Sequence, residues 1–363
     1  MAVGWPTKTT YANGDVYSAS DVNDTNGTIN LLTSSTLSRA GGKNGSINGG
    51  FDIWQRGTSF NSAASLYTAD RWSLNANTAQ TLTRQTVSDT TNLPTIQYCA
   101  RIQRTNGSTN TSAYYFTQSW ESNESYRYAG QTVTLSFYAR KGANFSSTFL
   151  QSWVYYGTGT DQNINGTYTG AAGLGGQNNT LTTTWQRFTM TVSIDKSATE
   201  LALFFAISPT GTAGAADYFE ITGVQLELGS TATTFSRAGG TIQGELAACQ
   251  RYYERRLVGG ANFSLGINGL SMTTTAGSAQ VMFATTKRTN PSVSFGGNLV
   301  FVNNAWNQAV TALNGIYGAG TSGLGFVGGA MDISVASGLT AGQPAWLRDN
   351  GAGTAFIEFS SEL

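Results

Sequence analysis

The sequence predicts an all-β protein: an antiparallel two-sheet sandwich followed by a smaller C-terminal β-domain, with one linking helix between them. Three observations carry that reading. Glycine supplies 44 of 363 residues, about 12% against a norm of roughly 7%. Only 11% of the residues are charged. Apolar residues fall in short runs that alternate with polar ones and are punctuated by Gly, Asn and Ser, which is the pattern of half-buried strands joined by turns. A chain of this length holds more than one core, and its composition divides it into 1–43, 44–240, 241–260 and 261–363.

Residues 1–43 carry too few large apolar groups for a core of their own. Ser18 or Ser20 is placed to cap a short helix with Asp21 in its first turn. Val22, Thr25, Ile29, Leu32 and Thr36 then recur at three- and four-residue spacing, a thin coiled-coil seam broken at Gly27. The segment reads either as a helix lying on its own subunit or as an attachment and trimerisation element.

Beyond the flexible seam of Gly41, Gly42, Asn44 and Gly45, the stretch Asn48 to Trp72 threads Phe51, Trp54, Phe60, Tyr67 and Trp72 through turn residues. Asp52, Arg56, Asp70 and Arg71 stand beside the rings. Bulky rings fill volume while neighbouring ions satisfy buried polar groups, so this stretch is expected to close one end of the sandwich. Four strands are then read by alternation: Ile96, Tyr98, Ala100 and Ile102; Val133, Leu135, Phe137 and Ala139; Phe188, Met190, Val192 and Ile194; Leu201, Leu203, Phe205 and Ile207. In the last strand Phe219 and Ile221 lie on odd positions but Val224, Leu226 and Leu228 on even ones. A β-bulge at Thr222-Gly223 repairs the phase.

A helix is predicted next, because Leu246, Cys249, Tyr253 and Leu257 lie three or four apart, Glu245 stands at the start, Arg255-Arg256 at the end, and Gly259-Gly260 stop it. Tyr252 and Tyr253 are assigned to a domain junction or subunit interface. Short apolar bursts at Val281, Val293, Leu299 and Ala355 then mark the second β-domain.

The motifs NGGFDIWQRGTSF (from Asn48), YTADRW (from Tyr67), GVQLELGSTATTF (from Gly223) and ELAACQRYY (from Glu245) together resemble a jelly-roll module of bacteriophage tail fibres and other virion appendages, one also similar to carbohydrate-binding modules. The resemblance implies jelly-roll topology, a homotrimer, attachment of residues 1–43 to other tail or capsid proteins, assembly in the host cytoplasm into a virion, and adhesion to a host surface glycan. It also implies a structural calcium ion whose ligand would be Asp52, although the adjacent aspartates expected before the final strand are replaced by Thr222-Gly223. A salt bridge from Asp52 to Arg56 or Arg71 is the alternative.

Chemistry is narrowed by what the chain contains. There is no histidine, no Cys-x-x-Cys pair and no phosphate-binding glycine loop, so Ser-His-Asp and Cys-His catalysis and a zinc ligand set are removed. The formal charge is zero, and no basic tract alternates with aromatics, so nucleic acid is not an expected partner. No run of apolar residues is long enough to span a membrane, and the start has no signal-like apolar region. Cys99 and Cys249 are expected to be reduced and buried in preference to one long-range disulfide.

Glycoside hydrolysis needs only two carboxyls, so Asp52, Asp70, Glu121, Glu124, Asp161, Asp217 and Glu220 remain to be placed. Sugar rings stack on Trp and Tyr while their hydroxyls bond amides. Two groups offer both: Trp153, Tyr155 and Tyr156, and Trp306, Asn307, Tyr317 and Trp346. The function expected is a tail fibre or receptor-binding protein that adheres without catalysis and without a cofactor other than that calcium. A purely structural head-decoration, collar or baseplate role and a glycan depolymerase are the other readings.

Overall fold

The computed structural model describes residues 43–363, apart from 94, 167, 304–305, 318–320 and 323–324. The predicted capping serines and the seam from Val22 to Thr36 therefore lie outside the described residues. Strands dominate the regular structure of the described chain, and helix is confined to short segments.

The first twelve strands are β1 (Ser59–Ser62), β2 (Leu66–Tyr67), β3 (Ser73–Asn75), β4 (Gln80–Thr86), β5 (Tyr98–Arg104), β6 (Tyr114–Ser119), β7 (Thr132–Lys141), β8 (Leu150–Gly157), β9 (Ala172–Asn179), β10 (Gln186–Ser193), β11 (Glu200–Ile207) and β12 (Tyr218–Leu228). They form two antiparallel six-stranded sheets, in the orders β1-β4-β5-β12-β7-β10 and β2-β3-β6-β11-β8-β9. The pairs β5–β12, β6–β11, β7–β10 and β8–β9 are nested and fall alternately in one sheet and the other. That is a jelly roll: one long ribbon of antiparallel pairs wrapped around a single core.

The alternation read from the sequence points inward except at the start of β5, where Ile96 precedes the strand and packs with Cys99 in a separate cluster and Tyr98 lies outside the core. Ala100 and Ile102, Val133 to Ala139, and Leu201 to Ile207 on every second residue, all line the core with Met190, Phe219 and Ile221. The ladder of β12 on β7 shifts register between Thr222 and Gln225, and Gly223 sits at φ +58°, so the bulge stands where the phase error placed it. There a side chain is excluded twice, by backbone conformation and because a Cβ would lie 2.8 Å from Ile96 Cδ1.

The stretch from Asn48 closes one end of the sandwich. The Asn48 amide bonds the Ile53 and Asp70 carbonyls at 2.8 and 3.0 Å, and Trp72 stacks on Phe116 with centroids 4.9 Å apart. Nearby, α1 (Ser122–Ser125) is a single short turn of helix after β6.

The predicted linking helix is shorter than its periodicity suggested. α2 runs over Ile242–Gln250, capped by Thr241, whose hydroxyl accepts from Gly244 N at 3.0 Å. From Tyr253 the chain is extended: β13 (Tyr253–Leu257) pairs residue by residue with the strand Phe356–Ser360. Tyr253 and Leu257 thus leave the helical face assigned to them, and Arg255-Arg256 the helix end, because only Glu245 and Cys249 are buried on α2, whereas pairing supplies backbone partners along the whole length of β13.

The remaining strands are β14 (Ser264–Ser271), β15 (Ala276–Lys287), β16 (Ser292–Gly296), β17 (Leu299–Asn303), β18 (Trp306–Tyr317), β19 (Thr321–Ser322), β20 (Gly325–Val335), β21 (Pro344–Asp349) and β22 (Phe356–Ser360). The order β15-β14-β21-β17-β18-β20 closes on itself through β15–β20, giving a barrel from which β19 extends. β13, β22 and β16 make a separate three-stranded sheet. Ile267, Val281, Phe301, Met331, Ile333 and Leu347 are among the residues that fill this second core.

Arginines join the two units. Arg71, buried, pairs with Glu362 and lies 3.5 Å from the Tyr252 ring centroid; Arg56 reaches the same carboxylate at 3.1 Å and lies 3.5 Å over Tyr253. Tyr252 donates to Glu121 at 2.9 Å, beside an Arg251–Glu121 pair at 2.7 Å. Tyr252 and Tyr253 are therefore junction residues. Cys99 and Cys249 are free and buried.

Candidate functional site

Strands β6, β11 and β8 are neighbours in the second sheet, and alternation sends every other residue to the face away from the core. Since Phe116, Val154, Leu203 and Phe205 point inward, Tyr115, Trp153, Tyr155 and Phe204 point outward. Those four rings form one continuous row. Tyr115 and Phe204 have centroids 4.7 Å apart, Phe204 and Tyr155 5.2 Å, and Tyr155 and Trp153 5.9 Å.

Trp153 lies across the edge strand β9 where that strand is almost bare. A Cβ on Gly176 would stand 2.6 Å from Trp153 Cη2, and one on Gly173 would stand 2.8 Å from Tyr155 Cζ. Gly176 also has φ +56°, and the β8–β9 ladder shifts register between Ser152 and Val154. The glycines let the rings lie down on the sheet.

Amides flank the row. Gln151 Nε2 donates to Asn178 Oδ1 at 3.0 Å at one side. At the other, the connection between β8 and β9 folds over the same face: Ile164 N donates to Ser119 Oγ at 3.1 Å, Thr117 Oγ1 to Asn165 Oδ1 at 3.2 Å, and Asn75 lies beside Asn165. None of these flanking groups is charged. Burial and the adjoining Tyr115 phenol raise the Tyr155 pKa above its usual range. The arrangement presents apolar ring faces in a line with neutral donors and acceptors along both sides.

Of the sequence-derived candidates, Trp153 and Tyr155 belong to this row, while Tyr156 turns the other way and packs against the core. Tyr115 and Phe204 were missed. Their signal was present in the alternation, because assigning Leu203 and Phe205 to the core face leaves Phe204 on the opposite one. The barrel group does not form one site. Trp346 and Asn307 both neighbour Val302 across adjacent strands, but Tyr317, 57% exposed, closes the far end of β18 and pairs with Ala330. Trp306 opens β18, and its side chain lies outside the described residues.

Asp52 does not sit in a cation site. Its Oδ2 accepts from Arg237 Nε at 2.7 Å, neither of the arginines named as alternatives, and among the described residues no group of three or more acidic or thiol ligands gathers. Calcium requires six or more oxygens, so a lone carboxylate already neutralised by a guanidinium does not fit it. Most of the other carboxylates considered for glycoside hydrolysis are likewise occupied: Asp70 lies 4.0 Å from Arg56, Glu121 2.7 Å from Arg251, Asp161 2.9 Å from Arg288, Asp217 2.8 Å from Arg104, and Glu220 is held between Arg101 and Arg140. Glu124 is exposed on α1.

No protein-family model and no curated protein matches the chain. Among solved structures it is similar to a CBM4 carbohydrate-binding module, at 19% identity over 51% of this chain and 100% of that one, with TM-score 0.30. It is similar to a CBM61 module solved with β-1,4-galactotriose, at 11% identity over 51% of this chain and 99% of that one, with TM-score 0.30. A third likeness is to the enzymatically active domain of tailspike protein 4 of bacteriophage CBA120, at 12% identity over 51% of this chain but 21% of that one, with TM-score 0.29. At such identities and scores, what this chain binds has to be read from its own residues.

Proposed function

We propose that this chain is a non-catalytic adhesin of a bacteriophage appendage, a tail fibre or receptor-binding protein, which holds an uncharged surface glycan on the ring row Tyr115–Phe204–Tyr155–Trp153. The observation that carries the reading is the row itself: four contiguous outward rings, two of them lying against glycines of β9, with neutral amides on both sides. Pyranose rings bury their apolar faces on such rings, and their hydroxyls match amide donors and acceptors. Absence of charge in the row favours a neutral sugar, since a carboxylated one would be desolvated there without a partner.

The virion assignment is supported by the four sequence motifs and their order. A homotrimer, with residues 1–43 inserted into the rest of the particle, suits a weak single site, because linked copies raise avidity by about 10² to 10⁴. The test is a glycan array and adsorption blocking on host cells with the full chain. Retention on neutral oligosaccharides, and its loss in Trp153→Ala, is the expected result; a chain that neither binds glycan nor blocks adsorption overturns the reading in favour of a purely structural subunit.

A further inference from the structure

The barrel carries a second face of a different chemical kind. Across its outer surface Asn268, Trp346, Val302 and Asn307 lie in one row on β14, β21, β17 and β18. Arg348, two residues along β21 from Trp346, pairs with Val300 and reaches diagonally over β17, where its Nη2 donates to Asn307 Oδ1 at 2.9 Å. Asn307 Nδ2 in turn donates to Asn350 Oδ1 at 3.1 Å. Val300 and Val302, the strand partners of Arg348 and Trp346, lie outside the barrel core and are only 3% exposed. Leu270 and Pro344, paired one step further on, extend the apolar floor.

Among the described residues no carboxylate pairs with Arg348, and its Nε is buried without a partner. The adjacent Asp349 is turned inward, where it accepts from Gly353, Thr354 and Ala355 N at 2.7 to 3.1 Å. A guanidinium held in place by an amide relay, lacking an anion and set beside an indole that is 36% exposed, is complementary to a sugar that carries a negative group.

We infer that the Trp346–Arg348 face of the barrel is a second sugar subsite, selective for an anionic sugar and separate from the neutral row on the sandwich. The acidic group takes the remaining Nη donors of Arg348, the pyranose ring lies on Trp346, and Asn268, Asn307 and Asn350 meet its hydroxyls. A glycan is favoured over an acidic peptide because the polar groups around the indole are amides matched to hydroxyls, and a single guanidinium supplies the charge.

The inference is tested by ligand-observed NMR titration of the full chain with methyl β-glucuronide, glucose 6-phosphate and methyl β-glucoside at low and high salt. Carboxylate and phosphate are the two sources of the shared negative charge, and whichever binds more tightly identifies the class. The expected result is binding of a charged sugar about tenfold tighter than the neutral glucoside, weakened by salt. Arg348→Gln should abolish that preference, Arg348→Lys should restore part of it, Trp346→Ala should remove binding, and Trp153→Ala should leave it unchanged. Equal affinity for charged and neutral sugars, no binding of any of the three, or a loss that follows Trp153 in place of Trp346 overturns it. Since the sandwich row is probed by Trp153→Ala with a neutral glycan, either reading can fail without the other.

Discussion

Glu362 shows how much rests on single side chains. It is the carboxylate that compensates Arg71, and both are nearly inaccessible, with side-chain exposures of 5% and 2%. Removing one partner of such a pair strands a buried charge, so Glu362→Gln is expected to cost about 3–5 kcal/mol in urea unfolding. Asp70 behaves in the opposite sense. Burial, against the partial relief given by Arg56 and Gln55, pushes its carboxyl up to about 6. The native state therefore holds that proton at a pH where the unfolded chain has released it, and the contribution is present below the unfolded pKa and lost as pH rises to about 6. Asp70→Asn should remove this fall, seen as a change in the difference in unfolding midpoint between variant and parent over that range. Little of this was legible beforehand. The sequence placed Asp52, Arg56, Asp70 and Arg71 together, but their partners Arg237 and Glu362 come from distant parts of the chain, and no local spacing marks such a pairing.

At the level of elements, alternation carried most of the information. It set the inward faces of β5, β7 and β11, and its one phase error located the bulge of β12. It failed at Tyr253–Leu257, where a three-and-four spacing coincided with a strand whose partner, β22, lies about a hundred residues further on; tertiary pairing outweighed local periodicity there. The ring row was half legible, through Trp153 and Tyr155, because Tyr115 and Phe204 are brought beside them only by the order β6-β11-β8. The edge strand β9 offers a test of how the row is supported. Gly176→Ala should lift Trp153, since the new Cβ would stand 2.6 Å from its ring, and should weaken neutral-glycan binding by about tenfold or more. Because β9 is an edge strand and Gly176 has φ +56°, the accompanying loss of stability should be about 1–2 kcal/mol, read by thermal unfolding with the circular dichroism spectrum retained.

For the molecule as a whole, the jelly roll and the barrel bury separate cores, yet the Arg71–Glu362, Arg56–Glu362 and Arg251–Glu121 pairs tie them into one body. Barrel closure through β15–β20 was not legible from short Gly-rich bursts, since it depends on which distant strands meet. The proposed trimer predicts a mass three times that of one chain by light scattering, and a lone subunit would remove the avidity argument. The most direct measurement is the affinity of the purified full chain, and of Trp153→Ala, for neutral oligosaccharides long enough to cross the ring row. Saturable binding by the parent and at least a tenfold loss in the variant with the fold intact are expected; equal binding by both, or none by either, would rule out the ring row as the glycan site.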